Sequence, residues 1–130
     1  MEVIYSFSGS VKSDLDSVKI FLKTILEKLT EYIDDEDLFF DIRLILNELI
    51  VNGAIHGNCE NINKLVFLTL ILDQEGIKIN VKDEGCGINH EIDSYDVEDM
   101  KCSGRGLILV EALTDSLILD RNEIFAVKYI

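Results

Sequence analysis

The chain has 130 residues, 48% of them apolar, and 25 acidic against 12 basic side chains give it a formal net charge of −13. That length suits one domain, residues 1–130, with a real core. The charge repels phosphate backbones and anionic membrane surfaces, which disfavours direct nucleic-acid binding and a membrane role. No apolar run approaches the ~20 residues needed to cross a bilayer. The start, Met1-Glu2-Val3, lacks a basic stretch followed by an apolar run, so the chain reads as soluble and cytoplasmic. Cys59, Cys86 and Cys102 fit neither a disulfide framework nor the paired spacing of a zinc site, and reduced, structural thiols are expected.

In chain order, Val3 to Phe7 alternates as a strand does, and Ser13-Asp14 then offers an N-cap for a helix with Leu15, Val18, Phe21, Leu22, Ile25, Leu26 and Leu29 on its apolar side. A second helix starts near Asp35 to Asp37, runs through Leu38, Ile42, Ile45, Leu46 and Leu49, and ends around His56-Gly57-Asn58, where glycine suits a left-handed cap. Leu65 to Leu72 and Ile77 to Val81 read as strands joined by the turn Asp73-Gln74-Glu75-Gly76. After a polar stretch from Asn89 to Ser103, Gly104-Arg105-Gly106 opens an apolar helix through Leu113, and Ser116 to Leu119 and Ile124 to Ile130 close the chain as strands. The order βααββαββ, without regular βαβ alternation, predicts an α+β fold: a two-layer sandwich with a mixed, mostly antiparallel sheet and helices on one face.

Three segments carry chemistry. Glu48, Asn52 and His56 fall at i, i+4 and i+8 of the second helix and project from nearly one face. An amide oxygen can ligate the hard cation Mg²⁺ and a carboxylate one turn away can orient or deprotonate a hydroxyl, although a solvated stripe has the same spacing. The strand Ile77 to Val81 runs into Asp83-Glu84-Gly85-Cys86-Gly87-Ile88, where an acid precedes two glycines that let backbone approach a ligand. Alone, this is also an acidic turn at a strand end. Gly104-Arg105-Gly106 stands at a helix N-terminus, where free amides and the helix dipole favour phosphate. Neither a dinucleotide fingerprint nor a P-loop is present.

In order, Asn47-Glu48-Leu49-Ile50-Val51-Asn52-Gly53-Ala54-Ile55-His56-Gly57-Asn58, Asp83-Glu84-Gly85-Cys86-Gly87-Ile88 and Ser103-Gly104-Arg105-Gly106-Leu107-Ile108-Leu109-Val110 resemble the N, G1 and G2 boxes of the GHKL ATPase superfamily. The likeness spans nearly the whole chain and is greatest to stand-alone anti-sigma factors with serine-protein kinase activity. It implies the Bergerat ATP-binding fold, with ATP and Mg²⁺ as cofactors. By the same likeness Glu48 is the catalytic base, Asn52 the Mg²⁺ ligand, Asp83 the adenine reader, Gly85 and Gly87 the hinge of an ATP lid, and Gly104 and Gly106 phosphate-loop glycines. Arg105 is expected to contact phosphate, and His56 is a further ligand-contact candidate beside its reading as a helix-end charge. The implied partners are a sigma factor and an anti-anti-sigma protein of the STAS type, and the implied assembly is a homodimer.

The sequence departs from relatives in two places. Ile124-Phe125-Ala126-Val127 stands where a Gly-Thr pair often supports the adenine site, and the lid region is acidic, with Glu91, Asp93, Asp96, Glu98 and Asp99 against Lys101. Two other readings stay open. One is a non-catalytic ATP-binding partner-switching module. The other is the detached ATP-binding domain of a histidine kinase, which needs a phosphoacceptor histidine on a helical hairpin; only His56 and His90 exist, and neither sits in one.

Overall fold

The computed structural model describes residues 3–59, 61–85 and 105–130. The elements are β1 (Val3–Lys12), α1 (Leu15–Leu29), α2 (Glu36–Val51), a π-helical segment (Asn52–Gly57), β2 (Leu65–Asp73), β3 (Gly76–Asp83), α3 (Arg105–Leu113), β4 (Ser116–Asp120) and β5 (Glu123–Tyr129). The five strands form one sheet in the order β1-β2-β3-β5-β4, and every pairing is antiparallel. The expected α+β sandwich is therefore present.

Local chemistry starts α1 and α2. Asp14 Oδ1 accepts from the Ser17 N–H at 2.8 Å, which caps α1, and Asp35 Oδ1 accepts from the N–H groups of Asp37 and Leu38 at 2.9 and 3.1 Å, which caps α2. Both aspartates satisfy amides that have no partner within the first turn. The hairpin between β2 and β3 is set by Asp73, whose Oδ1 accepts from Glu75 and Gly76 N–H.

Alternation then decides which side of the sheet is covered. Ile77, Ile79 and Val81 of β3 are buried while the alternating Lys78 and Lys82 are exposed and Asn80 is half-buried, and Val66, Leu68, Leu70 and Leu72 of β2 are the buried alternates of their strand. Against that face α2 lays Ile42, Ile45, Leu46, Leu49 and Ile50, all fully buried, and α1 adds Val18, Leu22, Ile25 and Leu29. Each such side chain contributes roughly 1.5–3 kcal/mol by leaving water.

The second helix ends differently from the expectation. Its last six residues widen into a π-helix, sealed by a five-residue bond from Asn58 N–H to Gly53 O at 2.8 Å. Gly57 does not make the left-handed cap; that conformation falls on Cys59, at φ 54°. Asn58 is the reason the chain can stop there. Its side chain is wholly buried, with Nδ2 donating to Ser13 Oγ at 2.8 Å and to Leu65 O at 2.9 Å, and Oδ1 accepting from Glu84 N–H at 2.8 Å. Ser13 Oγ in turn donates to Lys64 O at 2.8 Å. One amide thus ties the helix end to the β1–α1 turn, the start of β2 and the end of β3.

Replacing Asn58 with alanine strands buried donors and acceptors in three segments at once. Urea unfolding should show Asn58→Ala destabilised by roughly 2–4 kcal/mol; a loss below about 0.5 kcal/mol would mean that water replaces the amide freely.

Candidate functional site

Glu48, on α2, and Asn52, its C-cap and the first residue of the π-helical segment, lie one turn apart, both half-buried, and the Asn52 N–H bonds back to Glu48 O. The expected shared face therefore holds for this pair. His56 belongs to the widened segment and is exposed. The segment that carries it bonds over five residues rather than four.

The end of β3 is brought against the same helix by two glycines. A Cβ at Gly53 would lie 3.7 Å from Asp83 Cβ, and one at Gly57 would lie 2.0 Å from Asp83 Oδ2. Glycine at 57 is thus needed for close approach rather than for an unusual backbone angle. The Asp83 carboxylate, 9% exposed, sits one residue past Asn52 along the helix surface, beside Gly53.

Asp83 is held on several sides. Its Oδ1 accepts from Gly85 N–H at 2.8 Å, its own N–H donates to Asn122 O at 2.9 Å, and Asn122 Nδ2 donates to its carbonyl oxygen. Lys64 Nζ donates to Gly85 O, and Glu84 Oε1 accepts from Leu65 N–H at 2.6 Å. Burial pushes the Asp83 carboxyl up to about 6, against the Gly85 hydrogen bond and the Lys64 charge, which both lower it. A carboxylate so placed gains from any ligand that donates a hydrogen bond to it. Gly85, at φ 72°, adopts the left-handed conformation that glycine tolerates at no steric cost.

The structure thus sets Glu48 and Asn52 one turn apart on the helix whose Gly53 and Gly57 lie against Asp83, and ties Gly85 to the Asp83 carboxylate. Arg105 and Gly106 open α3, a nine-residue helix whose Val110 is buried in the core shared with α2. Gly87, Gly104 and the acidic stretch 89–103 lie outside the described residues. Sequence reasoning gave no role to Asn122 or Lys64, read Ser13 only as part of a helix cap, and read Asn58 only as part of a helix end and motif. Asn58 stood inside the quoted motif, and its signal was an amide just past a helix end; Asn122 lies between the last two strands, where asparagine is common in turns and signals no distant partner. The expectation of reduced thiols fails at Cys59, which is disulfide-bonded. Both other cysteines lie at least 27 residues along the chain, a separation at which spacing carries no pairing signal.

A family profile described as a histidine kinase-like ATPase domain matches residues 11–125. The chain belongs to this family. Its known relatives include the anti-sigma F factors of Bacillus cereus, Bacillus thuringiensis and Bacillus mycoides, each 27% identical over 109 residues, covering 80% of this chain and 68% of theirs. The match runs from the end of β1 to the middle of β5 and so takes in every described site residue.

The donors fit the nucleotide of a histidine kinase-like ATPase domain. Asp83 supplies a desolvated acceptor in a cradle that any Cβ at 57 would fill. Among the described residues no group of three His, Cys, Asp or Glu is placed to hold a metal unaided. Asn52 offers one hard oxygen, which suits Mg²⁺, an ion that keeps several waters and is bound largely through substrate phosphates. In β5, Ala126 is buried and packs in the core.

Because Asp83 titrates near 6 in the folded chain and at 3.8 when unperturbed, it stabilises the fold fully below 3.8, and that contribution is lost as pH rises through about 6. Asparagine cannot ionise. The stability of the wild type minus that of Asp83→Asn, measured by urea unfolding, should therefore fall between roughly pH 4 and 7; a flat difference would place the Asp83 titration at its ordinary value.

Proposed function

We propose that this chain is an ATP-binding anti-sigma regulatory factor that phosphorylates a serine on an anti-anti-sigma antagonist of the STAS type and otherwise sequesters a sigma factor. One ATP-binding domain over residues 1–130, acting in the cytoplasm as a homodimer, is the form that suits this role. The observation that carries the reading is the half-buried pair Glu48 and Asn52, one helical turn apart, with Asn52 directly preceding Gly53, which lies against the buried Asp83. The similarity to anti-sigma F factors supplies the regulatory class.

In this reading Asp83 accepts a hydrogen bond from the adenine amino group, and its burial makes that bond selective, since a ligand without a donor leaves the carboxylate desolvated and unanswered. Asn52 holds Mg²⁺ through its side-chain oxygen. The bound Mg·ATP supplies the phosphoryl group and neutralises its charge. Glu48 takes the proton of the antagonist's serine hydroxyl as that oxygen accepts the phosphoryl group and ADP leaves. Gly85 and Gly87 hinge the lid. Gly104 and Gly106 serve as phosphate-loop glycines, with Arg105 as a cationic contact, and His56 as an outer ligand contact.

Isothermal titration should show Mg²⁺-dependent ATP binding, weakened about tenfold or more by Asn52→Ala and by Asp83→Asn. With the antagonist present, Glu48→Gln should retain binding while transfer falls by about 10²–10⁴. Equal transfer by wild type and Glu48→Gln removes Glu48 as the base, and tight binding of the sigma factor with no transfer makes the chain a non-catalytic module.

A further inference from the structure

A second concave feature lies away from the nucleotide helix face. α1 and α2 enclose a groove of about 450 Å³. Its α1 wall follows Leu15, Val18, Leu22 and Leu26, and its α2 wall follows Phe39, Arg43, Asn47 and Val51, each a single stripe at helical spacing. At 1.5 Å per residue the walls run about 16–18 Å, three turns of helix. The floor is apolar: Val18 and Leu22 are buried, Leu26, Phe39 and Val51 are half-buried, and Leu15 at one end is 44% exposed.

The rim carries the opposite charge to the rest of the molecule. Lys19, Lys23 and Arg43, all exposed, line it against one acid, Glu27, in a chain with 12 basic and 25 acidic residues. A solubilising surface on so acidic a chain has no need to gather cations around an apolar trough. A basic rim on a three-turn apolar groove is complementary to an amphipathic helix whose leucine-like ridge is flanked by carboxylates.

We propose that the α1–α2 groove docks an acidic amphipathic α-helix of a partner protein. The ridge of that helix lies on Leu22, Leu26, Phe39 and Val51, and its carboxylates meet Lys19, Lys23 and Arg43. The inference does not rest on phosphotransfer: Glu48 and Asn52 occupy a different stripe of α2 from Asn47 and Val51, so the groove keeps its chemistry whether or not the chain is a kinase.

The test uses nucleotide-free protein and two synthetic helices of about fifteen residues with one leucine ridge, flanked in one by glutamates and in the other by lysines. Fluorescence anisotropy should show saturable binding of the glutamate helix and binding of the lysine helix weaker by about tenfold or more. Amide shifts in nitrogen-15 NMR should concentrate on α1 and α2. The exposed-site variant Lys19→Glu, Lys23→Glu, Arg43→Glu, checked for native circular dichroism, should invert that preference. The proposal is overturned by absent binding, by equal affinity for the two helices, or by a preference the charge reversal leaves unchanged. It is equally overturned if phosphatidylserine vesicles bind this face more tightly than the glutamate helix, which makes it a lipid surface. A concentration-dependent dimer in sedimentation that the same reversal abolishes also overturns it, because the occupant is then a second copy of the chain.

Discussion

Four separate segments converge on the side-chain amide of Asn58: the turn after β1, the start of β2, the end of β3 and the last turn of the long helix. A buried amide has two donor positions and an acceptor oxygen, and here those positions bind Ser13, Leu65 and Glu84. Hydrophobic burial along α2 brings helix and sheet together but does not fix their register, because apolar contact is non-directional. The directional bonds of Asn58 fix it, and the positions of Asn52 and Asp83 relative to each other follow from them.

The π-helical widening belongs to the same arrangement. Six residues with one extra residue per hydrogen-bonded turn let both Gly53 and Gly57 lie against Asp83, while Asn58 still reaches its partners. Asp83 is consequently dehydrated in a chain already rich in negative charge, and the Gly85 amide and the Lys64 cation offset part of the cost. Such a carboxylate is poorly suited to being left alone and well suited to being met by a donor.

Most of the scaffold was legible in the sequence because its causes are local. Asp14 and Asp35 announce their helices by side-chain capping, Asp73 announces its hairpin, and the alternation in β2 and β3 reports directly which side of each strand faces the core. The motif residues Glu48, Asn52, Asp83 and Gly85 were found by spacing and resemblance; the first two lie one helical turn apart, and Gly85 is bonded to Asp83. What escaped were contacts between residues far apart in the chain. Nothing near Asn58 signals Ser13, 45 positions away, and nothing near Asn122 signals Asp83, 39 positions away. The widening after Val51 was equally hidden, since NGAIHG has no pattern that separates a π-helical turn from an α-helical one. The β1 strand also runs five residues beyond the expected Phe7, because pairing with β2 continues through Lys12 across a serine-rich stretch that alternation alone scores poorly.

Gly57 has a bearing on how this chain can be altered. Exchanging a helical glycine for alanine is a routine route to a sturdier protein, worth about 0.4–1 kcal/mol where the backbone permits, and Gly57 has no positive φ to forbid it. Judged by backbone angles alone it would head any list of stabilising changes. The obstacle is a carboxylate 26 residues further along, which already occupies the volume a methyl group would need. The identity of residue 57 is therefore set by what faces it across the fold, and a thermostabilised version of this protein must seek its gains on surfaces remote from that contact.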